Sequence, residues 1–127
     1  MRHSHLYVVW ALALLLGAVG CASTASSPPT PVTDMSQIAG KWQGTITLGG
    51  GGQEFYYLTI QPDGAIVAQW GMNWQTGKVT LSGGTASFEL NPPVSTGTIR
   101  YYSGPRRPSL WLLPTFGDWT ASVNPTN

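Results

Sequence analysis

Gln53-Glu54-Phe55-Tyr56-Tyr57-Leu58-Thr59-Ile60-Gln61, then Pro62-Asp63-Gly64, then Ala65-Ile66-Val67-Ala68-Gln69-Trp70, is the stretch on which the fold turns. Residues 53–61 are nine in number and form the longest run after Ser36 that lacks both glycine and proline. A stable helix usually wants at least about 10 to 12 residues, so no segment of this part of the chain has room for one. Both runs are rich in β-branched and aromatic side chains, and their apolar residues recur at every second position, which is the pattern of strands with one face indoors. Pro62-Asp63-Gly64 between them suits a type I turn with glycine at the left-handed position. A link that short makes the two strands pair antiparallel.

Working outward, the same reading gives eight strands: Lys41–Leu48, Gln53–Gln61, Ala65–Gly71, Trp74–Leu81, Thr85–Asn91, Thr96–Ser103, Ser109–Leu113 and Asp118–Asn124. Gly49–Gly52 is a glycine hairpin, and Gly83-Gly84 suits a primed two-residue turn. The expected fold is therefore all-β, an up-and-down antiparallel meander of about eight strands that closes, or nearly closes, into a barrel and so removes its edges. Alternation sends Trp42, Ile46, Tyr56, Leu58, Ile60, Ile66, Ala68 and Trp70 to one face, and the same phase continues through Val79, Phe88, Ile99, Leu110, Trp119 and Val123. An eight-stranded barrel is just wide enough to be filled by side chains or to hold one small ligand. This much bulk favours a filled interior or a small cavity at one mouth.

Gly40-Lys41-Trp42 resembles the Gly-x-Trp element of lipocalins. The longer pattern Gly40-x-Trp42-x-Gly44 followed by Leu58-x-Ile60-x-x-Asp63-Gly64 resembles small lipocalin-like bacterial extracytoplasmic proteins of unassigned function. The resemblance spans residues 40–64 and implies a lipocalin-like barrel with Trp42 plugging its floor. It also implies a late arginine over that tryptophan, for which Arg100, Arg106 and Arg107 all stand open. The Thr-Asp-Tyr element of lipocalins is absent.

The front of the chain reads as an export segment. Leu6–Gly20 is an uncharged apolar run of 15 residues, which fits a secretory signal core better than a membrane-spanning helix of about 18 or more. Gly17-Ala18-Val19-Gly20-Cys21 follows and resembles the lipobox of bacterial lipoproteins, which implies lipidation of the Cys21 thiol. The alternative is an ordinary signal cut near Ala22–Ser27, with Cys21 discarded. The expected organisation is a signal peptide over 1–20, a lipidated cysteine with a Ser/Thr/Pro tether over 21–35, and a small barrel domain over 36–127. A polyproline-biased tether of the fourteen residues 22–35 would reach roughly 45 Å at about 3.1 Å per residue. Ala22 where an Asp would stand resembles outer-membrane sorting, so the expected location is the cell envelope, lipid-anchored at the outer membrane and facing the periplasm.

Composition excludes much chemistry. The chain of 127 residues has 2 histidines, His3 and His5, and 1 cysteine, all within the export segment. The barrel domain therefore has no Ser-His or Cys-His pair, no disulfide and no Cys/His metal site, and no metal or cofactor is expected. Removal of Arg2 leaves 5 basic and 5 acidic residues, which argues against a nucleic-acid partner. Glu54, Asp63, Glu89 and Asp118 are the only carboxylates from which a glycosidase-like pair could be assembled. Each has an ordinary explanation in a turn or on a strand surface, so no enzyme is expected.

Candidate contact residues are of two kinds. Phe55, Tyr57, Val67, Trp74, Tyr102 and Trp111 fall on the outward phase, where aromatic faces serve recognition or pair across strands. Trp70 and Trp74 flank the Gly71-Met72-Asn73 turn and are the first candidate for a binding mouth. Arg106 and Arg107, with Arg100 nearby, offer guanidinium groups to a lipid headgroup, a peptidoglycan carboxylate or a partner acid, or form a solvated loop. The resulting expectation is a membrane-anchored extracytoplasmic lipoprotein with a non-catalytic binding or interaction module. Two alternatives stand beside it: a lipocalin-like carrier of a small apolar ligand, and an envelope structural or inhibitor protein that holds a protein or glycan partner through surface aromatics. A cavity lined by Trp42, Tyr56 and Trp70 would favour the carrier, and a filled core with aromatics exposed outside would favour the partner.

Overall fold

Glycine and proline turns bound the strands, and three strands run on through an internal glycine, Gly44, Gly77 or Gly97. A computed structural model describes residues 28–126. Its strands are β1 (Gly40–Thr47), β2 (Gln53–Ile60), β3 (Ala65–Trp70), β4 (Asn73–Ser82), β5 (Thr85–Asn91), β6 (Ser95–Tyr102), β7 (Ser109–Pro114) and β8 (Thr120–Pro125). Each pairs antiparallel with its sequence neighbour, and β8 returns to β1 with Trp42 opposite Pro125 and Ile46 opposite Ala121, closing the barrel. The turns take the expected form: Gly64, Gly83 and Gly84 all have positive φ, and the Asp63 carboxylate accepts the Ala65 amide at 3.0 Å.

The interior is filled. Trp42, Ile46, Tyr56, Leu58, Ile60, Ile66, Phe88, Leu90, Leu110, Leu112 and Val123 are all buried in one apolar cluster, with Leu48, Trp70, Leu81, Tyr101 and Trp119 packed against it. Three inward glycines, Gly44, Gly77 and Gly97, make room for this packing. A methyl group on Gly44 would run into the Ser122 carbonyl of β8, and one on Gly77 into the Glu89 carbonyl of β5. One on Gly97 would run into the Leu113 carbonyl of β7 and the Phe88 ring, so all three mark close approach of a neighbouring strand.

Connectivity gives the barrel two unlike ends. The β2–β3, β4–β5 and β6–β7 links and both chain termini lie at one end, and the other four links lie at the opposite end. The first end is capped by residues 30–38, of which 30–35 fall within the expected tether. Thr30 bridges to Tyr101, the Val32 amide donates to the Gly84 carbonyl at 2.9 Å, and Val32 and Ile38 are fully buried. A 3-10 turn, Met35–Gln37, is held by an Asp34 and Gln37 capping box. The tether expectation is thus corrected from Thr30 onward. Val32 and Met35, the tether's two sizeable apolar residues, cannot make a core of their own, but Val32 enters and Met35 packs against the one that the strands already provide. The signal segment, Cys21 and residues 22–27 lie outside the described residues.

Candidate functional site

Trp42 sits at the capped end and is buried, its indole N–H donating to the Ile38 carbonyl at 2.9 Å. The floor role that the resemblance implied is filled jointly by Trp42 and the N-terminal strap that carries Ile38. Of the three arginines, Arg107 is tied to the strand position opposite that tryptophan, its guanidinium donating to the carbonyl of Pro125, which stands opposite Trp42. Arg106 is exposed at the same loop, and Arg100 faces outward beside Trp111.

At the open end, Trp70 packs on Tyr56 with ring centroids 5.7 Å apart, and Phe88 packs on Trp119 at 6.0 Å. The Tyr56 hydroxyl is buried with no hydrogen-bond partner among the described residues, and burial pushes its phenol well above the ordinary tyrosine range. Trp70 and Trp74 lie on opposite faces of the barrel wall, Trp70 half-buried and Trp74 56% exposed. They meet as walls of one outer groove of about 260 Å³ that also holds Tyr57, Gln69 and Met72. The expected mouth is therefore a groove on the outside, not an opening into the interior.

A second outer groove, of about 320 Å³, lies between Arg107 on one side and Phe55 and Tyr57 on the other, with Gln43, Thr45 and Asn124 across it. Tyr57 is a wall of both grooves. Strand register explains the continuity: Asn124 is opposite Gln43, Gln43 opposite Tyr57, Tyr57 opposite Gln69, and Gln69 opposite Trp74. One outward row thus crosses β8, β1, β2, β3 and β4, and from Gln43 to Trp74 it alternates amides with aromatic rings. Strands tilt against a barrel axis, so a row perpendicular to them climbs obliquely, here from the Arg107 loop toward the open end. That loop is stapled down at its C-terminal end, by Arg107 to Pro125 and by the Asn124 amide to the Pro108 carbonyl at 3.0 Å.

Not every candidate joins this site. Trp111 is 42% exposed and lies on a neighbouring row, with Arg100 on one side and Ser122, Thr45 and Phe55 on the other. Tyr102 is half-buried near the capped end opposite Ser109 and stands apart. Sequence reasoning missed the amides Gln43, Gln69 and Asn124, because polar outward residues on strands carry no signal until register aligns them. Comparison with protein-family models, with curated proteins and with solved structures finds no match.

Proposed function

We propose that the chain is a membrane-anchored extracytoplasmic binding module, without catalytic chemistry of its own, that works through the outside of its barrel. The supporting observation is the pairing of a filled interior with two open grooves that share Tyr57. A carrier would need a cavity at Trp42, Tyr56 and Trp70, and those side chains are packed in or against the core instead. Phe55, Tyr57, Trp74 and Trp111 remain exposed on the strands, where rigid aromatic faces give contact area at little cost in side-chain freedom.

The anchor in this proposal is lipid on Cys21, placing the barrel at the periplasmic face of the outer membrane. Because Thr30 is held by Tyr101, the chain available between the proposed anchor and the barrel is at most residues 22–29, which would reach about 25 Å at roughly 3.1 Å per residue. Cys21→Ser should move the protein from the membrane pellet to the periplasmic fraction. Continued pelleting of the variant would contradict the anchor. For the binding face, crosslinking and pull-down from the native envelope should capture a partner with the wild type and lose it with Tyr57→Ala.

A further inference from the structure

The two grooves point to a class of ligand, an inference that rests on the outer-face reading just proposed. Arg107 is the one charged residue that lines either groove, and the Glu54 carboxylate lies beside Gly71 at the edge of the Trp74 groove, not in the Arg107 groove. The rest of the lining is mainly amide, hydroxyl and aromatic ring. Tyr57 and Trp74 are two strand spacings apart, about 10 Å, with Gln69 between them in register. Pyranose rings present apolar C–H faces for aromatic rings and a rim of hydroxyls for amides, so a chain of them suits this alternation.

Other occupants fit less well. A peptide that binds by strand addition needs a sheet edge, and a closed barrel has none. An acyl chain wants an enclosed apolar pocket, whereas these grooves are open and have amide walls. The charge then refines the class. Arg107 is fixed by its bond to the Pro125 carbonyl, a neutral acceptor, and a positioned guanidinium with no acid in its groove is a receptor for an anionic group, of which a carboxylate is the one that sugar acids carry. We propose that the outer face of β8, β1, β2, β3 and β4 binds a carboxylate-bearing polysaccharide, its pyranose rings over Tyr57 and Trp74 and a sugar carboxylate on Arg107. Two sources share that chemistry: uronic-acid chains, and cell-wall glycan strands whose muramic acid carries a lactyl carboxylate.

The test uses the mature lipidated protein in detergent and calorimetric titration with three probes: a galacturonate hexamer, its methyl ester, and a peptide-free strand of alternating N-acetylglucosamine and N-acetylmuramic acid. At least one acidic probe should bind with a Kd below about 1 mM, and Tyr57→Ala and Arg107→Gln should each weaken it by about tenfold or more. Ser87→Ala, on β5 across the barrel, should leave it unchanged. The uronate alone binding assigns the first source and the muramic strand alone the second; where the uronate binds, its ester should bind about tenfold more weakly. Tyr57 and Arg107 are exposed, so both variants should fold, which circular dichroism checks. The proposal falls if neither acidic probe saturates, if the ester binds as well as the acid, or if Tyr57→Ala has no effect. If it falls while Tyr57-dependent capture of a protein persists in the envelope pull-down, the outer-face reading stands and only the sugar is wrong. Loss of both removes both.

Discussion

Ionising Tyr56 would place a charge beside Trp70 inside a filled barrel, and burial therefore raises its pKa above the ordinary 10.0. The folded state holds this proton more tightly than the unfolded chain does. Its contribution to stability is complete below about pH 10 and is lost as the pH rises toward the folded value. Tyr56→Phe removes that titration, so the melting temperature of the wild type should fall more steeply above about pH 10 than that of the variant. At neutral pH the same change removes a buried hydroxyl without a described partner, a group that costs about 1 to 3 kcal/mol when unsatisfied. The variant should be at least as stable by urea denaturation, and a loss above about 1 kcal/mol would mean that the hydroxyl is satisfied after all. At this scale the sequence was legible where a side chain is simply apolar or simply outward. It was not legible for Gln75, which is 4% exposed and donates to the Pro93 carbonyl at 3.0 Å. Counting back by twos from Val79 places position 75 indoors, but a polar side chain there is explained only by the carbonyl it meets.

Among the elements, all eight strands could be read within two residues of their bounds, because glycine, proline and period-two alternation are local signals. The N-terminal strap was harder to read. Its own sequence shows little beyond Val32 and the Asp34-x-x-Gln37 capping pattern, and its packing depends on a barrel end that is far away in the chain. Gln37 is the hub that shapes it, accepting the Thr33 amide at 2.7 Å and the Asp34 amide at 3.0 Å and donating to the Pro31 carbonyl at 3.1 Å. Ile38 is fully buried and supplies the carbonyl that accepts the Trp42 indole. Ile38→Ala should therefore destabilise the whole domain by about 2 to 5 kcal/mol, as for a large-to-small core change. A denaturation shift below about 1 kcal/mol would mean that the strap is a loose appendage and that the barrel is complete without it.

Taken as a whole, the molecule is asymmetric along its axis. The capped end carries the N-terminal strap and the Arg106-Arg107 loop, while the links at the open end present Met72, Val94 and Phe116 at 101%, 69% and 85% exposure. The row from Asn124 to Trp74 runs between these ends, so a ligand lying on it would touch both the fixed guanidinium and the apolar rim. This row was not legible in the sequence, because it exists only once five strands are in register. The aromatic residues that mark it were legible, from alternation alone. The central claim is that a filled barrel works through this outer face, and site-specific photo-crosslinking in the native envelope tests it most directly. A benzophenone side chain at Gln43, within the Arg107 groove, should form an adduct with a partner, whereas the same group at Ser87 on the far side should form none. No adduct from position 43, or equal adducts from both positions, would contradict it.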